Sequence, residues 1–418
     1  MDIELDSTKP YKVPSFPVTL LLSIVARKNF IVLFDKDREG LNEGVSHEQL
    51  LKESIDKTFE KCVLNYDIKY HMVGKITDEL IEEVRYKDKS THGPSSEQEI
   101  DREDDDHTKL DDDRQLMELY IIEDINTRSL EDYTELGKLM REGYLYNVRH
   151  NRIPGNKPHW KLFIGTVLWN RDDYNIPEDV LNMGKEDKKY SHKHGQSFKF
   201  KSFATGFEDW IRHKFWLVTT IEIPTIKPVI EVEDVDEQQS FDSVVYTKEK
   251  KNSNGPAVEK EVDEEDGDKD VDDEVTKNYE GYENIHIQAS LRRYLLDIMV
   301  HIRTHRLSFN ARGGGVHKNS YSDIIILSRL IAIRDNRKFV TPQHVRLASM
   351  WYFPSQLSII DDSMKDNSIL YGSKPELVRE LMKRLVFVRN KKIVEMNNPL
   401  FIEALIVRNA IKKIVPPV

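Results

Sequence analysis

The chain has almost no cysteine. Among its 418 residues Cys62 stands alone, so no internal disulfide can form and a reducing compartment is expected. A long apolar run is missing too. The longest, V-T-L-L-L-S-I-V-A over 18–26, falls well short of the roughly 20 residues a helix needs to cross a bilayer. The N-terminus, M-D-I-E-L-D-S-T, lacks the basic and then apolar character of a secretory leader. Nor is there an excess of positive charge. With 62 Lys and Arg against 73 Asp and Glu, the formal charge is −11, which argues against an overall basic surface for nucleic acid phosphates. G-x-S-x-G, H-E-x-x-H and C-x-x-C are absent, and with them the common signatures of serine hydrolases, zinc peptidases and dithiol redox proteins. These absences predict a soluble protein of the nucleus or cytoplasm, without membrane contact.

Two charged tracts divide what is present. The first, 87–114, has almost no apolar side chain to bury, and the second, 231–280, holds E-V-D-E-E-D-G-D-K-D-V-D-D-E-V at its centre. Neither can offset the entropy of ordering, so both are expected to be disordered loops or linkers. Contact with a basic partner is the competing reading.

Between the tracts, strand and helix signals alternate. An apolar helix is expected over 17–26, then a dense strand, N-F-I-V-L-F, over 29–34. Residues 46–64 have helical spacing, with Leu50, Leu51, Ile55, Phe59 and Val63 on one face. Cys62 lies on the apolar side of that helix, which favours a core role over a nucleophile. Further strands are expected over 116–122, 160–169 and 215–223, with helices over 130–142 and 207–213. Strands separated by helices imply an α/β core with a mostly parallel sheet. His192 and His194 stand two apart in Y-S-H-K-H. No Cys or carboxylate joins them at metal-ligand spacing, so a polar loop is preferred to a zinc site, and no metal or cofactor is expected.

The strand over 29–34 is followed by D-K-D-R-E-G-L-N-E-G-V-S and then a helix. A phosphate-binding loop would read G-x-x-x-x-G-K-[ST] at this place, its backbone N–H groups and lysine holding the phosphates. In that register Glu39 takes the first glycine position, Gly44 the second, Val45 the lysine and Ser46 the metal-binding hydroxyl. The lysine is gone, and Asp35, Asp37, Glu39 and Glu43 put negative charge where phosphates would lie. At the end of the next strand, L-Y-I-I-E-D, Glu123 and Asp124 stand where nucleotidases keep an Asp-Glu pair, in inverted order. They read as remnants or caps in preference to catalytic groups.

Residues 303–357 read as helix, glycine hinge, helix, link, helix. Gly313, Gly314 and Gly315 are expected to break the first helix, S-Y-S-D over 320–323 to form a capping box, and Thr341-Pro342 to start the third. This segment resembles the helical lid of AAA+ ATPases of the MoxR and magnesium-chelatase type. That resemblance implies an AAA+-like core over 1–230 and a helical lid over 281–418, joined by the acidic linker 231–280. It further implies a polar sensor at Asn170 and an arginine-finger slot near Arg212, His213 and Lys214. The lid's sensor arginine would fall at a position that reads Asn319.

With the lysine and the sensor arginine both lost, the expectation is a non-catalytic core that serves as an interaction surface for protein partners. Two alternatives remain open. One is a divergent ATPase using Glu123, Asp124 and Lys36 or Lys318. The other is a DNA-binding module using the basic streak Arg292, Arg293, Arg303, His305, Arg306 and Arg312, for which self-contact or plain solvation is the blander reading. The segments P-V-T-L-L-L-S-I-V-A and V-T-P-Q-H-V-R-L-A-S-M-W-Y-F-P-S-Q-L are similar to those of the fungal maintenance of telomere capping protein 2 family. That resemblance implies a part in protecting chromosome ends and no established enzyme activity.

Overall fold

A segment such as N-F-I-V-L-F-D, apolar on both alternating sets of side chains, suits a strand covered on both faces. In the computed structural model it is β1 (Asn29–Asp35), with six of its seven residues buried. The structure describes residues 10–35, 47–61, 66–86, 115–153, 157–176, 198–205, 207–221, 281–309 and 314–417. Both acidic tracts, Cys62, His192, His194 and Arg312 lie outside them.

Four more strands join β1: β2 (Tyr66–Val73), β3 (Gln115–Ile122), β4 (His159–Trp169) and β5 (Phe215–Thr220). All pair in parallel, in the order β2-β3-β4-β1-β5. α1 (Phe16–Ala26) and α2 (His47–Lys61) cover the face that carries Phe30, Phe34 and Trp216. Phe16 meets Phe30 edge-on, His47 meets Phe34, and the Trp216 indole donates to Ser23 Oγ at 2.9 Å. α3 (Asp78–Tyr86) and α4 (Leu130–His150) cover the other. There Gly143 of α4 approaches the sheet so closely that an added Cβ would stand 2.6 Å from the Phe163 ring.

Two of these elements had no counterpart in the sequence reading, β2 and α3. β2, Y-D-I-K-Y-H-M-V, alternates charged and apolar residues because it is a sheet edge, wet along one side. The expected strand over 215–223 stops at Thr220, and the helix over 207–213 shrinks to α6 (Asp209–Arg212), after the short α5 (Arg171–Tyr174).

The C-terminal part is helical: α7 (Ala289–Arg303), α8 (Ser320–Arg334), α9 (Pro342–Gln356), α10 (Pro375–Met396) and α11 (Phe401–Lys412). α11 is its axis, with every residue from Phe401 to Val407 buried. The Thr341 start of α9 forms as expected, since the threonine hydroxyl accepts from the His344 N–H and the His344 ring answers at the Thr341 N–H.

Two expectations fail here. α7 ends at Arg303, with Thr304 as its cap, well before the glycines. Gly314 and Gly315 instead take φ of +64° and +81°, where Gly315 runs against α9 and a Cβ would meet the Gln356 carbonyl at 1.9 Å. Nor does 320–323 form a capping box. Ser320 already belongs to the helix, and Asp323 is drawn away to Tyr352 and Lys28.

Residues 10–14 strap the helical part to the sheet. Tyr11 donates to the Met350 carbonyl, Asn398 and Arg408 donate to the carbonyls of Tyr11 and Pro10, and Thr219 of β5 donates to that of Pro14.

Candidate functional site

From β1 the chain crosses to the far edge strand β2, returns through β3 to β4, and then passes β1 to reach β5 on its other side. The direction of the connections reverses between β1 and β4. The crevice outside the carboxyl ends of strands at such a reversal is where open α/β sheets bind ligands. Asp35 ends β1, opposite Trp169 at the end of β4.

That crevice holds an ion pair. Arg171, the first residue of α5, places Nη2 2.8 Å from Asp35 Oδ2, and the carboxylate is nearly closed to solvent. The negative charge read at position 35 is therefore neutralised from within the chain. Asn170, expected as a polar sensor, spends its side-chain oxygen on the Asp172 N–H at 2.8 Å and caps α5. Glu39, Gly44, Val45 and Ser46 lie outside the described residues, as do Lys36, Asp37 and Glu43.

Glu123 and Asp124 open the turn after β3, one strand beyond β4. Asp124 adopts a left-handed φ of 45°, and its N–H donates to Thr166 Oγ1 at 3.2 Å. Arg128 draws together the carbonyls of Val73, Gly74 and Glu123. Backbone hydrogen bonding organises this turn, and the Glu123 side chain is exposed. The two carboxylates are placed at strand ends but are not gathered with Asp35.

Arg212 does not reach outward as an arginine finger would. It is fully buried, donating to the Leu357 carbonyl at 2.6 Å, to Ser358 Oγ at 2.8 Å and to Asp209 at 2.6 Å. The preceding helix thereby bolts β5 to the end of α9. Beside it Gln356 donates to the Phe215 carbonyl at 2.8 Å, while its amide oxygen lies 2.9 Å from His213 Nδ1.

Asn319 is exposed, and its side chain makes no cap bond to α8. Its backbone is more informative. The Asn319 N–H donates to His317 Nδ1 at 3.2 Å, which leaves His317 Nε2 to donate toward Tyr352 Oη at 2.8 Å. Tyr352 in turn donates to Asp323 at 3.1 Å, and Asp323 pairs with Lys28 at 3.0 Å. His213 lies against His317, ring centroids 4.4 Å apart. A continuous polar chain thus runs from the foot of β1 through α8 and α9 to the foot of β5.

Burial, reinforced by His213, Lys28 and Arg212, lowers the His317 pKa from 6.5 to about 4, and burial does the same at His305, near Lys413. The unfolded chain takes up these protons near pH 6.5, while the folded one resists them down to about 4. Both groups therefore favour unfolding progressively as pH falls through that window. Glu403 acts in the opposite sense. Burial raises its pKa to about 7 despite Arg389 and Arg212, so the fold holds its proton more tightly than the unfolded chain does. The substitution His317→Gln is expected to flatten the acid-side fall in thermal midpoint between pH 6.5 and 4. An unchanged slope would remove His317 as a cause.

Sequence reasoning missed a second polar network, under α3 and α4. Glu118 is 1% exposed. Tyr120 donates to it at 2.7 Å, His159 Nε2 stands 3.4 Å away, and Lys161 Nζ lies at 3.7 Å. Lys161 also donates to the Val84 carbonyl at 2.8 Å, and Tyr146 Oη is 2.7 Å from His159 Nδ1. Burial pushes the Glu118 carboxyl up, but His159, Tyr120 and the Lys161 charge outweigh it and hold the group well below the usual range. The signal was legible: a glutamate inside L-M-E-L-Y-I-I and a lysine inside H-W-K-L-F-I must be paired if those runs are buried strands. Carboxylate, imidazole and phenol are in line here, yet closed in by two helices, an arrangement suited to holding helices on a sheet.

Residues 14–220, which run from just before α1 to the end of β5, match the family described as "Maintenance of telomere capping protein 2, N-terminal domain". A Candida glabrata protein of the name maintenance of telomere capping protein 2 is 56% identical, across all of this chain and 99% of its own length. The Saccharomyces cerevisiae protein of that name is 36% identical over 72% of this chain and 76% of its own length. Among solved structures, an inferred ATPase of Cytophaga hutchinsonii covers 88% of this chain and 87% of its own, at 10% identity and a TM-score of 0.38. That likeness is too slight to carry an argument. On the sequence matches, the chain belongs to the maintenance of telomere capping protein 2 family.

Proposed function

We propose that this chain is a non-catalytic scaffold or adaptor in telomere capping, with a degenerate AAA+-like core over 1–230 and a helical lid over 281–418. The name shared by its relatives supplies the process. The Asp35–Arg171 pair carries the mechanism: it sits in the crevice where an α/β sheet would take a nucleotide. A phosphate approaching there must compete with the Asp35 carboxylate for the guanidinium and lie beside that carboxylate. With Val45 at the lysine position and Asn319 at the sensor position, the chain supplies little to offset this.

The helical part is also tied to the sheet by contacts that need no nucleotide. Arg212, Gln356, the His213–His317 pair and the Lys28–Asp323 bridge all join it to the feet of the strands. A lid so held offers a fixed surface to a partner. Protein partners in the nucleus or cytoplasm suit this reading, and among the described residues no helix is long and apolar enough to cross a membrane.

The DNA-binding alternative is weakened by two of its own arginines. Arg303 donates to the Val316 carbonyl, and Arg306 bonds Asp366 and Ser368.

A fluorescent ATP analogue is expected to bind the full chain more weakly than about 10 μM, with no turnover. Tighter binding, or turnover lost in Glu123→Gln, would overturn the scaffold reading in favour of a divergent ATPase.

A further inference from the structure

The charge of this chain is unevenly distributed. The tracts 87–114 and 231–280 together hold 30 of its 73 acidic residues but only 11 of its 62 basic ones. The rest of the chain is therefore net basic. Nearly half of that imbalance is concentrated in 259–274, where eleven of sixteen residues are acidic and only Lys260 and Lys269 oppose them.

The described chain resumes at Gly281, seven residues beyond this run. His286 runs parallel to Phe339: its N–H donates to the Lys338 carbonyl, and its carbonyl accepts from Val340. The chain that follows the acidic run is thus fixed beside the link between α8 and α9. A groove of about 430 Å³ opens at that link, lined by Arg337, Thr341, Pro342, Arg346, Pro416 and Pro417. Lys338 and Arg346 are exposed at its margin, Lys412 and Lys413 precede its two prolines, and Phe339 is 54% exposed beside it. Asp335, the acid at this corner, is engaged with Arg334 and His344. Seven residues of extended chain reach roughly 25 Å, enough to lay the run along the groove.

We infer that the groove at the α8–α9 link is a docking site for the chain's own acidic run 259–274, which occupies it in place of an external polyanion. The carboxylates meet Lys338, Arg346, Lys412 and Lys413, and Val262 and Val271 within the run supply apolar contact for Phe339 and the prolines. Because the tether is short, the run acts at a high effective concentration, and a competing polyanion must displace it.

Carbodiimide, which joins a carboxylate to a lysine amine without a spacer, tests the contact on the full chain. Cross-links from Lys338, Lys412 or Lys413 to residues 259–274 are expected at low salt, and their loss at about 0.5 M salt. A second variant replaces the eleven acids with Asn and Gln and is assayed for binding to a heparin fragment. Affinity is expected to rise about tenfold, and the rise to vanish when Lys338→Glu and Arg346→Glu are added. Unchanged heparin affinity together with no cross-links to the groove would overturn the inference. Cross-links found only between chains of different isotopic label would also overturn it, by showing a second copy as the occupant.

Discussion

Replacing Arg212 with methionine should cost the fold about 3–5 kcal/mol, the range for stripping one partner from a buried, hydrogen-bonded charge. Arg212 is fully buried, and its guanidinium holds the Leu357 carbonyl, Ser358 Oγ and the Asp209 carboxylate. Methionine keeps much of the volume and none of the donors, so those acceptors are left without their principal partner at the junction of β5 and α9. Urea unfolding followed by circular dichroism reads the loss directly. A change below about 1 kcal/mol would mean that water or rearrangement resatisfies the acceptors, and that the junction is less rigid than its hydrogen bonds imply. Arg212→Lys should recover little, because an ammonium cannot reproduce the guanidinium fork.

The second large effect is expected at Lys161. Its side chain is fully enclosed, and it supplies charge to Glu118 and a hydrogen bond to the Val84 carbonyl. Lys161→Met leaves Glu118 ionised in the interior without its ammonium partner, facing the His159, His71 and Tyr120 side chains, at a cost again of about 3–5 kcal/mol. Adding Glu118→Leu should restore much of it, because an apolar pair of similar volume can replace a buried ion pair at little cost. A double-mutant cycle separates the cases: additive losses would show that the two groups act independently.

The pH behaviour distinguishes this site from the histidines. Glu118 ionises more readily in the fold than in the unfolded chain, so its contribution is present above the ordinary carboxylate pKa and is lost as pH falls below it. In the Lys161→Met chain that acid-side loss should shrink, because the folded carboxyl then titrates closer to the unfolded one.

Much of the framework could be read from residues alone, for reasons these sites make clear. Strands buried on both faces have to be written in apolar residues, so β1, β3, β4 and β5 stood out. β2 did not, because an edge strand alternates with charge and resembles a loop. Thr341-Pro342 signalled a helix start that forms as expected, since capping is decided within four residues. S-Y-S-D carries an equally local pattern and failed. A buried tyrosine from another helix and a lysine distant in sequence compete for Asp323, and nothing within four residues reveals them. The same limit applied at the crevice. Asp35 could be read as unfavourable to phosphate, but its partner Arg171 comes from beyond the end of a different strand. Asn170 caps α5 from the end of β4, and sequence alone does not separate that role from a sensor's, because a capping bond and a sensor contact call for the same residue type.

The strap at residues 10–14 has a consequence for how the molecule is made. Pro10 is held by Arg408 and Tyr11 by Asn398, contacts that span 398 and 387 residues. On the ribosome the strap emerges well before Asn398 and Arg408, so that margin of the sheet stays uncovered until α11 has been synthesised. Closure over such a sequence distance is slow, and a partly finished chain exposes apolar surface throughout. The strap therefore closes only after α11 has been made, and deleting the last turns of α11 should harm the first strands as much as the helices around it.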